Sequence, residues 1–154
     1  MMAEASSSPT HEVCGLLFGV GLQVLEIEPA ANVADDPARR FEVDPAALIA
    51  AHRRGRVCKT IRSSRAKSRD SGQALSVSTS LDTNGWDVAS YSTLIGHYHS
   101  HPGGRAEPSA CDADMAVADG SIWLIIAGGE VMAWRAVEGG ALYGRFDPLP
   151  ILRC

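Results

Sequence analysis

One uninterrupted apolar segment near the end of the chain constrains the fold most strongly. Residues 121–128 read SIWLIIAG and contain no charged side chain. Side chains of a β-strand point alternately to opposite faces, so this segment is apolar on both faces of a sheet. It therefore predicts a central strand that is covered by other parts of the chain on both sides.

The remaining apolar segments predict a sheet around this strand and a few helices. Asp44 and Pro45 are typical of a helix start, and we expect that helix to end at Gly55, with a second short helix over residues 109–119. Further strands are predicted at residues 12–20, 22–33, 39–43, 92–102 and 130–146, the last being a pair that turns at Gly139-Gly140. Together these elements predict an α/β fold with a mixed sheet.

Composition limits the class of protein. The chain has 154 residues, 45% of them hydrophobic and 21% charged, which is typical of one globular domain over residues 1–154. A net charge of −4 argues against a nucleic-acid partner, and no segment is long and apolar enough for a membrane span. The start of the chain lacks the pattern of a signal peptide, and the four cysteines show no CxxC pairing, which favours reduced thiols in the cytoplasm.

Residues 56–93 show no sustained period and are rich in Ser, Arg and Thr. Eight of the 14 Lys and Arg residues fall between Arg53 and Arg69, where the chain has no acidic residue. We expect this segment to be a mobile insertion. Two interpretations stay open: a variable loop without a role, or a basic flap that orders on a protein partner with an acidic surface.

The segment GHYHSHPGGRAEPSACD, residues 96–112, indicates a metal site. On a strand, His97, His99 and His101 leave the same face, so two imidazoles can converge on one ion. The Pro-Gly-Gly turn would bring Asp112 back towards them on the next helix. Two histidines and one aspartate are ligands that zinc accepts, and they leave one coordination position open for hydrolytic chemistry.

Simpler interpretations exist for each half of this segment. Ser109 and Asp112 are also what a helix start requires, since Ser is a favoured N-cap and an acid three residues later suits the helix dipole. Alternating histidines on an exposed strand are often only solvated. The two halves at a fixed separation favour the metal site.

The motif resembles that of the JAMM (MPN+) metalloprotease family, which has an upstream Glu followed by H-[ST]-H-P-x6-S-x-x-D. Here His99-Ser100-His101-Pro102 is followed by six residues and then by Ser109-Ala110-Cys111-Asp112. The segment PTHEVCGLLFG, residues 9–19, is similar to the strand that carries the family's catalytic Glu. The resemblance covers about residues 9–54 and 94–147. It implies a mostly antiparallel sheet flanked by helices, with a fold related to that of cytidine deaminases.

The resemblance also implies roles for individual residues. His99, His101 and Asp112 would bind one Zn²⁺ per chain. Glu12 would act as the general base that takes a proton from the attacking water and returns it to the leaving amine. Ser109 would donate a hydrogen bond to the oxyanion.

Neighbouring residues of the same types are not assigned to the site. His97 occupies a position where the family has a bulky, often aromatic residue, so we expect it to pack. Asp114 should face away from Asp112 on the helix, and Cys14 and Cys111 should pack in the core. We further expect Glu26 and Glu28 to be solvated and Trp123 and Trp134 to be buried.

The function implied is a zinc-dependent isopeptidase or peptidase that cleaves an amide after the C-terminal glycines of a ubiquitin-like or sulfur-carrier protein. The alternative is a non-catalytic MPN-type scaffold that binds a protein partner. A zinc nucleoside deaminase would need His-x-Glu and Pro-Cys-x-x-Cys, and neither string occurs. Only MMAEASSS precedes Pro9, where family members usually have a strand and a long helix. The oligomeric state is left open, a homodimer included.

Overall fold

A six-stranded sheet organises the chain in a computed structural model, which describes residues 1–54 and 92–152. The strands are β1 (Cys14–Val20), β2 (Gln23–Ala30), β3 (Thr93–Ser100), β4 (Ile122–Ala127), β5 (Glu130–Gly140) and β6 (Gly144–Leu149). The helices are α1 (Met2–Ser7), α2 (residues 45–54) and α3 (Ala110–Met115). The predicted insertion at 56–93 lies outside the described residues, except for Ser92 and Thr93.

The strand order is β2-β1-β3-β4-β5-β6, and only the β3–β4 pair is parallel. This arrangement confirms the predicted α/β class with a mixed, mostly antiparallel sheet. All six residues of β4 are buried, as expected for a strand that is apolar on both faces. The two edge strands, β2 and β6, contain Pro29 and Pro148, which is where a sheet tolerates a residue without an N–H group.

Helices cover both faces of the sheet. On one face, α2 packs Ala47 and Ala51 against Leu16 and Phe18 of β1. The Asp44 carboxylate accepts a hydrogen bond from the Ala46 N–H (2.9 Å), which confirms the predicted helix start. At the other end of the helix, described as far as residue 54, Arg54 lies over the Phe18 ring and pairs with Glu26 and Glu28. Glu26 and Glu28 are therefore ion-paired rather than only solvated.

The opposite face is covered by α1. Ala5 packs against a cluster that contains Leu17, Tyr98 and Leu124. The Tyr98 hydroxyl, which is fully buried, donates a hydrogen bond to the Glu4 carboxylate (2.5 Å). No helix among residues 1–54 and 92–152 has the length and hydropathy needed to cross a membrane.

Two local predictions were wrong. The chain does not turn at Gly139-Gly140, because β5 continues through Gly140, which pairs with Gly144. A Cβ at Gly140 would lie 2.5 Å from the Phe146 backbone nitrogen, so this glycine serves close backbone approach rather than a turn. Residues 39–43 form no strand and contribute only one isolated bridge, between Asn32 and Val43.

Gly96 tests the central pairing of the sheet. A Cβ at this position would lie 1.9 Å from the backbone oxygen of Ile122 on β4, so Gly96→Ala must push the two strands apart. We expect a loss of about 3 kcal/mol in the free energy of unfolding, the upper end of what overpacking costs. Denaturant titration measures it. The exposed control Val117→Ala should stay within about 0.5 kcal/mol of the wild type, and an unchanged Gly96→Ala would contradict the register.

Candidate metal centre

The alternation of β3 separates two sets of side chains. His97 and His99 lie on one face, in contact with Phe41 and Trp123. Tyr98 points to the other face, towards α1. β3 is hydrogen-bonded to β1 and β4 on either side, so its side chains are fixed by two ladders.

The two histidines of the motif converge. The Nε2 atoms of His99 and His101 lie 2.9 Å apart. His99 is fully buried, and its ring stacks on that of Phe41 with centroids 4.2 Å apart and an interplanar angle of 17°. The Nδ1 of His101 lies 3.0 Å from the Arg105 carbonyl oxygen. This contact to a backbone carbonyl fixes the orientation of the His101 ring.

Asp112 closes the group from α3. Its Oδ1 lies 3.4 Å from the His99 Nε2, and its Oδ2 lies 3.3 Å from the His101 Nε2. The same carboxylate accepts hydrogen bonds from the backbone N–H of Ser109 (2.6 Å) and from its hydroxyl (2.7 Å). The Ser109 Oγ accepts in turn from the Asp112 N–H (3.1 Å), which completes a capping box. The helix start and the contact with the histidines therefore coexist at the same two residues.

Glu12 approaches the histidines from the segment before β1. A carboxylate oxygen of Glu12 and one nitrogen each of His99 and His101 all lie within 4.8 Å of one another. Glu12 is 6% exposed, and its Oε2 has no hydrogen-bond partner in the described part of the chain. A buried carboxylate oxygen without a partner is unfavourable unless a proton, a cation or a ligand satisfies it.

Burial and mutual charge set the protonation of these groups. Burial raises the pKa of Glu12 to about 7; the His101 imidazole opposes this shift, and the Asp112 charge adds to it. Burial also disfavours the charged form of Asp112, yet hydrogen bonds from His101 and His99 hold its pKa well below the usual range. Burial lowers the pKa of His99. For His101 the Asp112 carboxylate outweighs burial, and the pKa is raised.

These residues fit a zinc ion. Zinc favours imidazole nitrogen and carboxylate oxygen, and a hydrolytic site uses three protein ligands. The bond between His101 and the Arg105 carbonyl is the outer contact that a metal-bound histidine usually makes. The unpartnered Oε2 of Glu12 adds a buried proton acceptor beside the donor set.

The residues left out of the site lie as expected, except for Cys111 and for Glu26 and Glu28, which pair with Arg54. The His97 ring packs edge-on against Trp123, with centroids 4.1 Å apart, and its pKa is lowered to about 3 by burial. Asp114 is exposed while Asp112 is buried. Cys14, Trp123 and Trp134 are buried, but Cys111 is exposed, so its predicted packing was wrong. Position 111 falls on the outer face of α3, a helix too short to be covered all round.

Sequence reasoning missed Phe41 and Ser100. Phe41 backs the His99 ring, but it comes from a loop whose position no local pattern reveals. The Ser100 hydroxyl accepts a hydrogen bond from the Val13 N–H (3.0 Å) and so fixes the residue next to Glu12. Ser100 lies between two histidines whose side chains point away from it. That position was the sequence signal that could have predicted a structural role for Ser100.

Comparison with known proteins identifies the family of this chain. The model of a family described as "Prokaryotic homologs of the JAB domain" matches residues 1–137. A desampylase from Haloferax volcanii is 28% identical over 123 residues, which cover 79% of this chain and 66% of that protein. The chain thus spans slightly less than two thirds of that relative.

Two solved structures share the fold. A solution structure from Desulfitobacterium hafniense has a TM-score of 0.59 and one from Salinibacter ruber has 0.51. Each is 21% identical and covers 99% of this chain and 84% of its own. Because the family model covers most of the chain, including the residues that meet around His99, this protein belongs to the prokaryotic JAB-domain family.

Proposed function

We propose that the protein is a zinc metallopeptidase of the JAMM type. It hydrolyses an amide after the C-terminal glycines of a ubiquitin-like or sulfur-carrier protein. One observation carries the proposal: two imidazole Nε2 atoms 2.9 Å apart meet the Asp112 carboxylate, and the buried Glu12 carboxylate lies beside them. Similarity to a desampylase supports a ubiquitin-like protein conjugate as the substrate class.

Each of the grouped side chains has a distinct role in the proposal. His99, His101 and Asp112 hold the ion, which when bound supplies a Lewis acid for the scissile carbonyl and activates water. Glu12 takes a proton from the attacking water and returns it to the leaving amine. Its pKa, raised by burial to about 7, suits both halves of that transfer near neutral pH.

Ser109 has two roles in the proposal. Its backbone and hydroxyl hold the Asp112 carboxylate and start α3. During turnover the hydroxyl donates instead to the oxyanion that develops on the scissile carbonyl.

Metal content is the first prediction. Protein purified without added metal should contain close to one zinc per chain by elemental analysis, and Asp112→Ala should contain almost none, because it removes one of three ligands. The matched control is Asp114→Ala, an exposed acid on the same helix, which should keep its zinc. Wild-type protein without zinc would favour the scaffold alternative.

Glu12→Gln separates proton transfer from metal binding. The amide keeps the shape of the carboxylate but cannot take a proton, so zinc should stay bound while kcat falls by about 100-fold or more. The substrate is a peptide that ends in Gly-Gly and is joined by an amide to a fluorogenic amine. Glu28→Gln, at an exposed position of β2 whose carboxylate lies 3.8 Å from Arg54, is the control and should keep the wild-type kcat and zinc content. Full activity of zinc-loaded Glu12→Gln would exclude the general-base role.

Ser109→Ala tests both roles of this residue. Loss of the N-cap should lower the free energy of unfolding by about 1 kcal/mol. Loss of the oxyanion donor should lower kcat by about 100-fold on the same peptide. Chemical denaturation and steady-state kinetics measure the two effects separately. A destabilised variant with nearly unchanged kcat would restrict Ser109 to helix capping.

A further inference from the structure

The loop over residues 31–44, between β2 and α2, is closed on itself. The Val33 N–H donates to the Glu42 carbonyl (2.9 Å), and the Asp44 N–H donates to the Ala31 carbonyl (3.1 Å). These bonds join its two ends, so the loop has a defined shape although it forms no regular strand.

The side chain of Asn32 fixes the interior of this loop. Its Oδ1 accepts hydrogen bonds from the N–H groups of Ala34 (3.1 Å) and Glu42 (3.0 Å). Its Nδ2 donates to the Arg40 carbonyl (3.2 Å). A side-chain amide offers two donors and two acceptor positions, so three of the four are used across the loop.

The fourth hydrogen bond leaves the loop and reaches Glu12. The Asn32 Nδ2 donates to the Glu12 carbonyl (2.9 Å), and the Glu12 N–H donates to the Pro37 carbonyl of the same loop (2.7 Å). Glu12 precedes β1, which begins at Cys14, so the described strand pairing does not hold its own peptide groups. The loop holds both of them instead.

The same loop also supplies Phe41, whose ring stacks on His99. One amide therefore organises a loop that holds the backbone of the proposed general base and backs one proposed metal ligand. In the described structure, no hydrogen bond restrains the Oε2 of Glu12. The backbone to which this side chain is attached therefore contributes to its position relative to His101.

We infer that Asn32 is a positioning residue for the reaction, acting through Glu12. This inference rests on the proposed function, because it takes Glu12 to be the general base. Displacing the Glu12 backbone moves the carboxylate away from the attacking water, and proton transfer is sensitive to displacements of about 1 Å. If Asn32 only stabilised the loop, its substitution would lower the rate by the same factor whether residue 12 is Glu or Gln.

Asn32→Asp is the informative change. It keeps an oxygen for the N–H groups of Ala34 and Glu42 but replaces the donor by an oxygen that faces the Glu12 and Arg40 carbonyls. We expect kcat on the Gly-Gly peptide to fall by about 10–100-fold, the range for outer contacts of a metal site. The zinc content and KM should change little. Asp147→Ala removes a comparable bond to a backbone N–H at the remote β5–β6 turn and should leave kcat unchanged.

A double-mutant cycle identifies the route of the effect. In the Glu12→Gln background, Asn32→Asp should lower the residual rate by no more than about twofold, since the group it positions no longer transfers a proton. The same fold-loss in both backgrounds would overturn the inference and leave Asn32 a structural residue.

Amide hydrogen exchange tests the positioning of Glu12 without turnover. This test can therefore be carried out even if the proposed function is wrong. Asn32→Asp should speed exchange of the Glu12 and Val13 N–H groups by roughly fivefold or more, as expected when a hydrogen bond is lost. Exchange of Ala133, in the buried part of β5, should stay as in the wild type. Unchanged exchange at Glu12 and Val13 would overturn the inference. Absence of hydrolysis in the zinc-loaded wild type would instead overturn the proposed function.

Discussion

The site depends on one carboxylate that serves two structural purposes. Asp112 accepts the backbone N–H of Ser109 and thereby starts α3, and it contacts the Nε2 atoms of both His99 and His101. Its burial would be unfavourable without these donors. One buried carboxylate therefore satisfies the start of α3 and also places an anion beside the two imidazoles.

The alternation of a single strand explains how the centre is connected to the rest of the protein. One face of β3 carries His97 and His99, and the other carries Tyr98, which reaches α1. Ser100 bonds the residue beside Glu12. His99 thus has one sequence neighbour, Tyr98, that contacts α1 and another, Ser100, that contacts the segment before β1. The parallel pairing with β4 places these attachments in the middle of the sheet, where strands open least readily.

Local patterns predicted much of this structure. The central strand and the helix start at Asp44 follow from periods and caps that act over a few residues. The choice of His99, His101 and Asp112 came from the resemblance of the motif to a known family. The prediction of a turn at Gly139-Gly140 was wrong because glycine permits both a turn and a close approach of two strands. Only the position of the partner strand decides between the two. The attachment of Glu12 to Asn32 and of Phe41 to His99 joins residues about 20 to 60 apart. No short-range pattern encodes such contacts.

The prolines of the two outer strands bear on how the protein behaves when concentrated. An open sheet can grow by accepting a strand from another molecule, and a continuous row of edge N–H and C=O groups is what such growth needs. Pro29 in β2 and Pro148 in β6 each remove one donor from that row. A second molecule docking along either side would meet an interrupted ladder. Residues far from the histidines thereby discourage sheet-to-sheet aggregation.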